Sequence, residues 1–150
     1  MRVVIQRVTE SSVTTGGKVK ASVGPGLLVL ASFIAGDNDE DLEWVAGKII
    51  RLRVFDDSDG IMNLPIIDIS GEILVISQFT LHARTKKGNR PSYIEAAVPE
   101  IAIPLYNKFV ALLETMLPGR IRTGEFGAEM AVSLVNDGPV TIIIDSKNRE

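Results

Sequence analysis

Two short segments of this chain concentrate hydrogen-bonding groups and restricted backbone: Ser77-Gln78-Phe79-Thr80-Leu81 and Asn136-Asp137-Gly138-Pro139-Val140-Thr141. The first closes an apolar run. Gln78 brings an amide, and Thr80 a hydroxyl that both donates and accepts. Where a strand leaves a core, its backbone N–H groups also become free for a ligand. If the segment is extended, Gln78 and Thr80 share one side, and Ser77, Phe79 and Leu81 the other. A strand turning polar as it surfaces would read the same way. The second segment sets a rigid ring beside a residue with no side chain, so two carbonyls can be held in one direction unshielded. Asn, Asp, Gly and Pro are also the usual turn formers, so an ordinary turn remains open. Together the segments suggest a site of backbone and hydroxyl groups, without metal, thiolate or histidine chemistry.

Composition narrows the alternatives. The chain has no cysteine, which removes disulfides, thiolate nucleophiles and Cys-ligated zinc. This fits a cytoplasmic protein. His82 is the only histidine, too few for a His-rich metal site, although a carboxylate site for Mg²⁺ is formally open. We therefore expect no cofactor. The net charge of −3 argues against a domain that coats duplex nucleic acid, so nucleic-acid contact should be local. Arg84, Lys86, Lys87 and Arg90 form a short basic run with no acid among them, readable as a solvated loop or as such a local contact.

These segments need a scaffold, and 150 residues with 45 % hydrophobic content predict a single domain, 1–150, with a real core. The apolar runs are too short for a membrane span, and no secretory signal is visible. Residues 2–34 read as an antiparallel meander, with turns at Thr15-Gly16-Gly17-Lys18 and Gly24-Pro25-Gly26. Asp37 and Glu40 have capping-box spacing, and Leu42, Val45, Ala46 and Ile49 predict an amphipathic helix to about Arg51. Arg53-Val54-Phe55 returns to strand, followed by a turn over 56–60. A calcium loop is excluded there, because aligning Gly60 with the loop glycine puts Phe55 and Ile66 at ligand positions. Glu72 to Leu81 predicts a strand covered on both faces. A second helix opens at Pro99, with its regular part expected from Ile103 because of Pro104, and stops at Pro118-Gly119. Two last strands are predicted near 130–135 and 140–144. The fold class is α+β: mainly antiparallel, barrel-like sheet with two main helices.

Taken together, the segments resemble the D-aminoacyl-tRNA deacylase family. The resemblance also runs through Ile5-Gln6-Arg7-Val8, Gly26-Leu27-Leu28-Val29-Leu30, Arg53-Val54-Phe55, Met62-Asn63-Leu64, Gly88-Asn89-Arg90-Pro91-Ser92, Leu105-Tyr106 and Thr123-Gly124-Glu125-Phe126-Gly127-Ala128. Ser11 stands where many relatives have alanine, and His82 where the residue varies.

The resemblance implies hydrolysis of the ester joining a D-amino acid to the 3′-terminal ribose of tRNA, with glycine on tRNA also accepted. It implies a homodimer in which the Gly-Pro peptide of one subunit enters the pocket of the other. Gly138 and Pro139 would then be cis-linked, with carbonyls facing the substrate's ammonium group and crowding the side of an L side chain. Ser77, Gln78, Phe79 and Thr80 become the catalytic segment. Backbone N–H groups near Phe79 and Thr80 would hold the oxyanion; Thr80 as covalent nucleophile is the rival scheme, and no base is evident for it. Arg7 is expected to tether the partner's loop or to form a surface ion pair. Phe126 and Met130 would sandwich the terminal adenine or belong to the core. Arg84, Lys86, Lys87 and Arg90 become candidate contacts for acceptor-stem phosphates. A non-enzymatic binding module and a general esterase are the competing classes.

Overall fold

The computed structural model describes all residues, 1–150. Eight strands and two helices follow in the order β1 (Arg2–Thr15), β2 (Lys18–Val23), β3 (Gly26–Ser32), α1 (Asp39–Arg51), β4 (Phe55–Asp56), β5 (Met62–Leu64), β6 (Glu72–Ser77), α2 (Pro99–Met116), β7 (Ile121–Thr123) and β8 (Ala131–Asp145). The main sheet runs β2-β1-β3-β6-β7, with β8 paired to β1, and β4-β5 form a separate hairpin. β2 also approaches β6 and β7, so the sheet curls nearly into a barrel. The α+β expectation with two helices holds.

β1 organises the sheet. Its first half, Arg2–Val8, pairs antiparallel with β3, and its second half, Ser11–Thr15, pairs with β2. Its other edge carries β8 along nearly its whole length. The meander expected for residues 2–34 is therefore corrected: β3 returns to β1 rather than lying against β2. A strand of 14 residues is long enough to serve two partners on one edge. Gly16 and Gly17, both at positive φ, make the tight turn that starts this. β6 joins β3, and β7 joins β6, in parallel.

Side-chain alternation along β3 and β6 divides the interior into two layers. Leu27, Val29, Ile73 and Val75 face α1 and α2, packing with Leu42, Ile49, Phe109 and Leu113. Leu28, Leu74 and Ile76 face the inside of the curl, against Val8, Val13 and Val23. The unbroken apolar run of β6 is thus covered on both sides, as its sequence implied.

Four boundaries differ from expectation. The cap of α1 is Asn38 with Asp41, one residue beyond the Asp37/Glu40 pair. Asp37 accepts instead from the Ile34 N–H and pairs with the Met1 amine. α2 is regular from Pro99, with Pro104 inside it. Pro104 lies past the first turn, so it leaves Glu100 O without a helical donor, on an exposed stretch where water can replace it. β7 was not foreseen, because three residues leave no periodic signal. The two last strands are one, β8, broken in register rather than in direction.

Asp41 is buried and joins α1 to the C-terminal segment. Burial opposes its ionisation, but hydrogen bonds from Lys147, Ser146 and the Asn38 N–H outweigh that and bring its pKa down to about 2. The Lys147 Nζ stands 2.6 Å away. A carboxyl with a lowered folded-state pKa contributes stability above its unfolded pKa and loses it as pH falls through the folded value. Asp41→Asn should therefore cost about 2 kcal/mol at pH 7. The gap in thermal stability between variant and parent should close as pH falls from about 4 towards 2. A gap that stays constant over that range would show that the charge of Asp41 contributes nothing.

Candidate active site

The strand predicted over 72–81 ends at Ser77, and the chain turns through a 3-10 turn, Phe79–His82. The alternation expected for residues 77–81 is thereby corrected. Gln78 and Thr80 still meet, now because the turn folds them together: Gln78 Nε2 lies 2.5 Å from Thr80 Oγ1. His82, which ends the turn, is buried.

The turn is pinned by its carbonyls. Gln78 O accepts from Leu81 N–H, Thr80 O from Ala83 N–H, and Leu81 O from Arg2 Nη1 at 2.7 Å. Phe79 O accepts from Ser32 Oγ at 3.3 Å. Upstream, Gln78 N–H donates to Ala31 O at 2.7 Å, tying the turn to the end of β3. The N–H groups of Phe79 and Thr80 have no acceptor in the chain. Two consecutive unpaired donors on a fixed turn can stabilise an oxyanion.

Beside the turn lies a cavity of about 520 Å³. This is within the range that accepts small ligands. Ser77, Gln78 and Phe79 line it, with Phe126 and Met130 across from them and Ser32, Tyr93 and Ala102 completing the walls. No charged side chain is among the lining residues. Phe126 and Met130 each line the cavity and each pack on a core layer. Phe126 stands edge-on to Tyr106, with ring centroids 5.6 Å apart.

Sequence reading missed three supports. Tyr106 donates to Val75 O at 3.0 Å and joins α2 to β6; burial raises its phenol to about 12. Tyr93 packs edge-on against Phe79 at 5.1 Å. Ser32 sits 2.6 Å from His82 Nδ1. Burial first, then the positive charges of Arg2 and the N-terminal amine, hold the His82 pKa below its ordinary value, against Asp37 and Asp145. Tyr106 alone had a signal, a tyrosine on the apolar stripe of a helix. The others are lone residues brought together by the turn.

Gly138 and Pro139 lie outside the cavity of their own chain. The β1–β8 ladder pairs Gln6 with Thr141 and Val8 with Asn136, so Arg7 alone faces residues 137–140. The surplus bulges outward as a loop, with Gly138 and Pro139 exposed and their peptide cis. Gly138 has φ +128°, and a Cβ there would come within 2.8 Å of Val140 Cγ2. Glycine is the residue such a backbone admits.

Arg7 holds the loop from beneath. Its Nε donates to Asp137 O at 3.0 Å, and its Nη1 to Val54 O at 2.7 Å and Asp56 Oδ1 at 3.2 Å. Asn136 Nδ2 bridges Arg7 O and Val140 O, each at 3.0 Å. Arg7 pairs with the carboxylates of Asp56 and Asp137.

In the basic run, Arg84 is committed to Glu95, which raises its pKa and lowers that of Glu95. Lys86, Lys87 and Arg90 are exposed and have no ion-pair partner in the chain. No three His, Cys, Asp or Glu side chains gather where they could hold a metal ion. No helix is long and apolar enough to cross a membrane.

Known proteins resemble this chain in sequence and in fold. The profile of the D-Tyr-tRNA(Tyr) deacylase family matches residues 4–145. The chain is 61 % identical over 150 residues to a D-aminoacyl-tRNA deacylase of Flavobacterium psychrophilum, and 57 % identical to that of Akkermansia muciniphila, with 100 % of both chains covered in each case. The solved structure of a c-Myc DNA Unwinding Element Binding Protein superposes with a TM-score of 0.92 at 41 % identity, over 97 % of this chain and 98 % of that one. A probable eukaryotic D-amino acid tRNA deacylase gives 0.81 at 18 % identity, over 95 % and 97 % of the two chains, and shows the shared fold.

Proposed function

The chain belongs to the D-Tyr-tRNA(Tyr) deacylase family, and from that premise we propose that two copies complete each other's active sites, with the Gly138–Pro139 loop of one entering the cavity of the other. The reaction is hydrolysis of the ester bond of D-aminoacyl-tRNA, releasing tRNA and the D-amino acid. The observation that carries the dimeric reading is a separation within one chain. The cavity, which Phe79 lines, has no charged side chain, while the Gly138–Pro139 loop, firmly held, lies outside it.

In this arrangement the substrate's α-ammonium group meets the carbonyls of Gly138 and Pro139, which supply in dipoles what the cavity lacks in carboxylates. An L side chain would collide with that main chain; a hydrogen would not. Glycine esterified to tRNA-Ala is therefore a second substrate. The adenine lies between Phe126 and Met130, and Lys86, Lys87 and Arg90 reach acceptor-stem phosphates. Arg84, paired with Glu95, has less to offer them. A protein acting on tRNA works in the cytoplasm.

An aminoacyl ester is an activated acyl compound, so positioning water and holding the oxyanion suffice. Thr80 N–H and Phe79 N–H hold the oxyanion, and the neighbouring ribose hydroxyl assists the attack. The contact between Gln78 and Thr80 supports this over a threonine nucleophile, since an amide in either orientation is no base.

Matched D- and L-aminoacyl-tRNA test the reading. The D ester should be cleaved at least about a hundredfold faster, the ratio produced by a clash of roughly 2.7 kcal/mol. Equal cleavage of both would make the protein a general esterase, and cleavage of neither a binding module. In the same assay Thr80→Ala, which keeps its N–H, should slow turnover no more than about tenfold. Near-complete loss with intact binding would instead make the hydroxyl the nucleophile. Reversing charge at Lys86 and Lys87 should raise KM and alter its dependence on salt; if neither moves, those lysines do not touch the tRNA.

A further inference from the structure

His82 has no part in the chemistry described above, yet it is one of few buried polar side chains, and it is the last residue of the turn that begins at Phe79. Its Nδ1 lies 2.6 Å from Ser32 Oγ, and Ser32 Oγ lies 3.3 Å from Phe79 O. A serine hydroxyl carries one proton. Both contacts are satisfied together only if Nδ1 donates to Oγ and Oγ passes its own proton to the Phe79 carbonyl.

That carbonyl belongs to the same rigid peptide unit as the Thr80 N–H. In a planar trans peptide the C=O and the following N–H point in opposite directions. Fixing Phe79 O against Ser32 therefore fixes where the Thr80 N–H points, away from the buried side. Gln78 O and Thr80 O are held by backbone N–H groups and Leu81 O by Arg2; Phe79 O, inside the 3-10 turn, is the one that a buried side-chain pair reaches.

We propose that His82 is a positioning residue, acting through Ser32 on the Phe79 carbonyl to aim the Thr80 N–H at the developing oxyanion. The proposal rests on the deacylase reading and on Thr80 N–H as an oxyanion donor. It extends that reading from the turn to the pair that orients it. His82 itself touches neither substrate nor water in the reaction. Its action belongs in kcat, because an oxyanion donor works in the transition state and not in ground-state binding.

The test compares His82→Ala, His82→Asn and Ser32→Ala, using D-aminoacyl-tRNA. Asparagine keeps an N–H donor near the place of Nδ1; alanine does not. His82→Ala should lower kcat about tenfold with KM within about twofold, and His82→Asn should recover most of the loss. The double variant His82→Ala/Ser32→Ala should be no slower than Ser32→Ala alone, because the two side chains act in series. Unchanged kcat in His82→Ala, or additive losses in the double variant, would overturn the relay. So would losses in the alanine and asparagine variants that match each other. If His82→Ala does not fold, the Ser32→Ala and His82→Asn variants decide by themselves: the relay requires the first to be slow and the second to be near the parent rate. Failure of the deacylase reading would look different, since the parent protein itself would then not discriminate D from L esters.

Discussion

A mismatch between two neighbouring strands governs the architecture of the candidate site. Where β1 advances by one residue, Arg7, β8 advances by four. An unpaired stretch of that size would ordinarily be loose. Here the guanidinium that faces it is buried and has acceptors on both flanks, Val54 and Asp56 on one, Asp137 on the other. Arginine remains charged at any working pH, so those acceptors are always engaged. Asn136 closes the base of the bulge by bonding across it. The result is an exposed loop with the rigidity of the sheet beneath it.

The second constraint is the neutrality of the cavity. No charged group lines it, and its wall is largely apolar. In such surroundings the partial charges of backbone amides count for more than they do in water. The turn at Phe79–His82 pairs its carbonyls and leaves two donors unpaired. Polarity is concentrated at one spot, and its direction is set by the peptide planes. Hydrophobic packing, through Tyr93 on Phe79 and Tyr106 on Phe126, keeps that spot in place. A site of this kind needs stiffness more than it needs acids or bases.

Much of this was legible in the sequence, and the failures share a cause. α1, α2 and the buried β6 follow from periodicity, and the β1–β2 turn from paired glycines. The Ser77–Thr80 segment reads as a candidate site, but its shape does not follow from its sequence. A row of polar residues after an apolar strand carries no periodic sign of a 3-10 turn. The Gly138–Pro139 bulge was visible as a turn between two strands. That the strands are one, and that Arg7 occupies the gap, depends on register, which pattern reading does not supply. Ser32 and His82 lie 50 residues apart and meet only because β3 and β6 are parallel neighbours. Asp37 and Asn38 both suit a helix cap by type; the choice was made by the Met1 amine, which engages Asp37.

The strand that leads the chain is also the one on which β8, close to its other end, is zipped. During synthesis, β1 must therefore wait with one edge open until almost everything else has been made. Contacts so distant along the chain form slowly, and an open edge invites pairing with other chains. The Gly138–Pro139 loop gains its support from Arg7 only when that last ladder closes. A half-folded chain thus presents the turn of Phe79 and Thr80 without a supported loop, and that loop matures only with the last ladder.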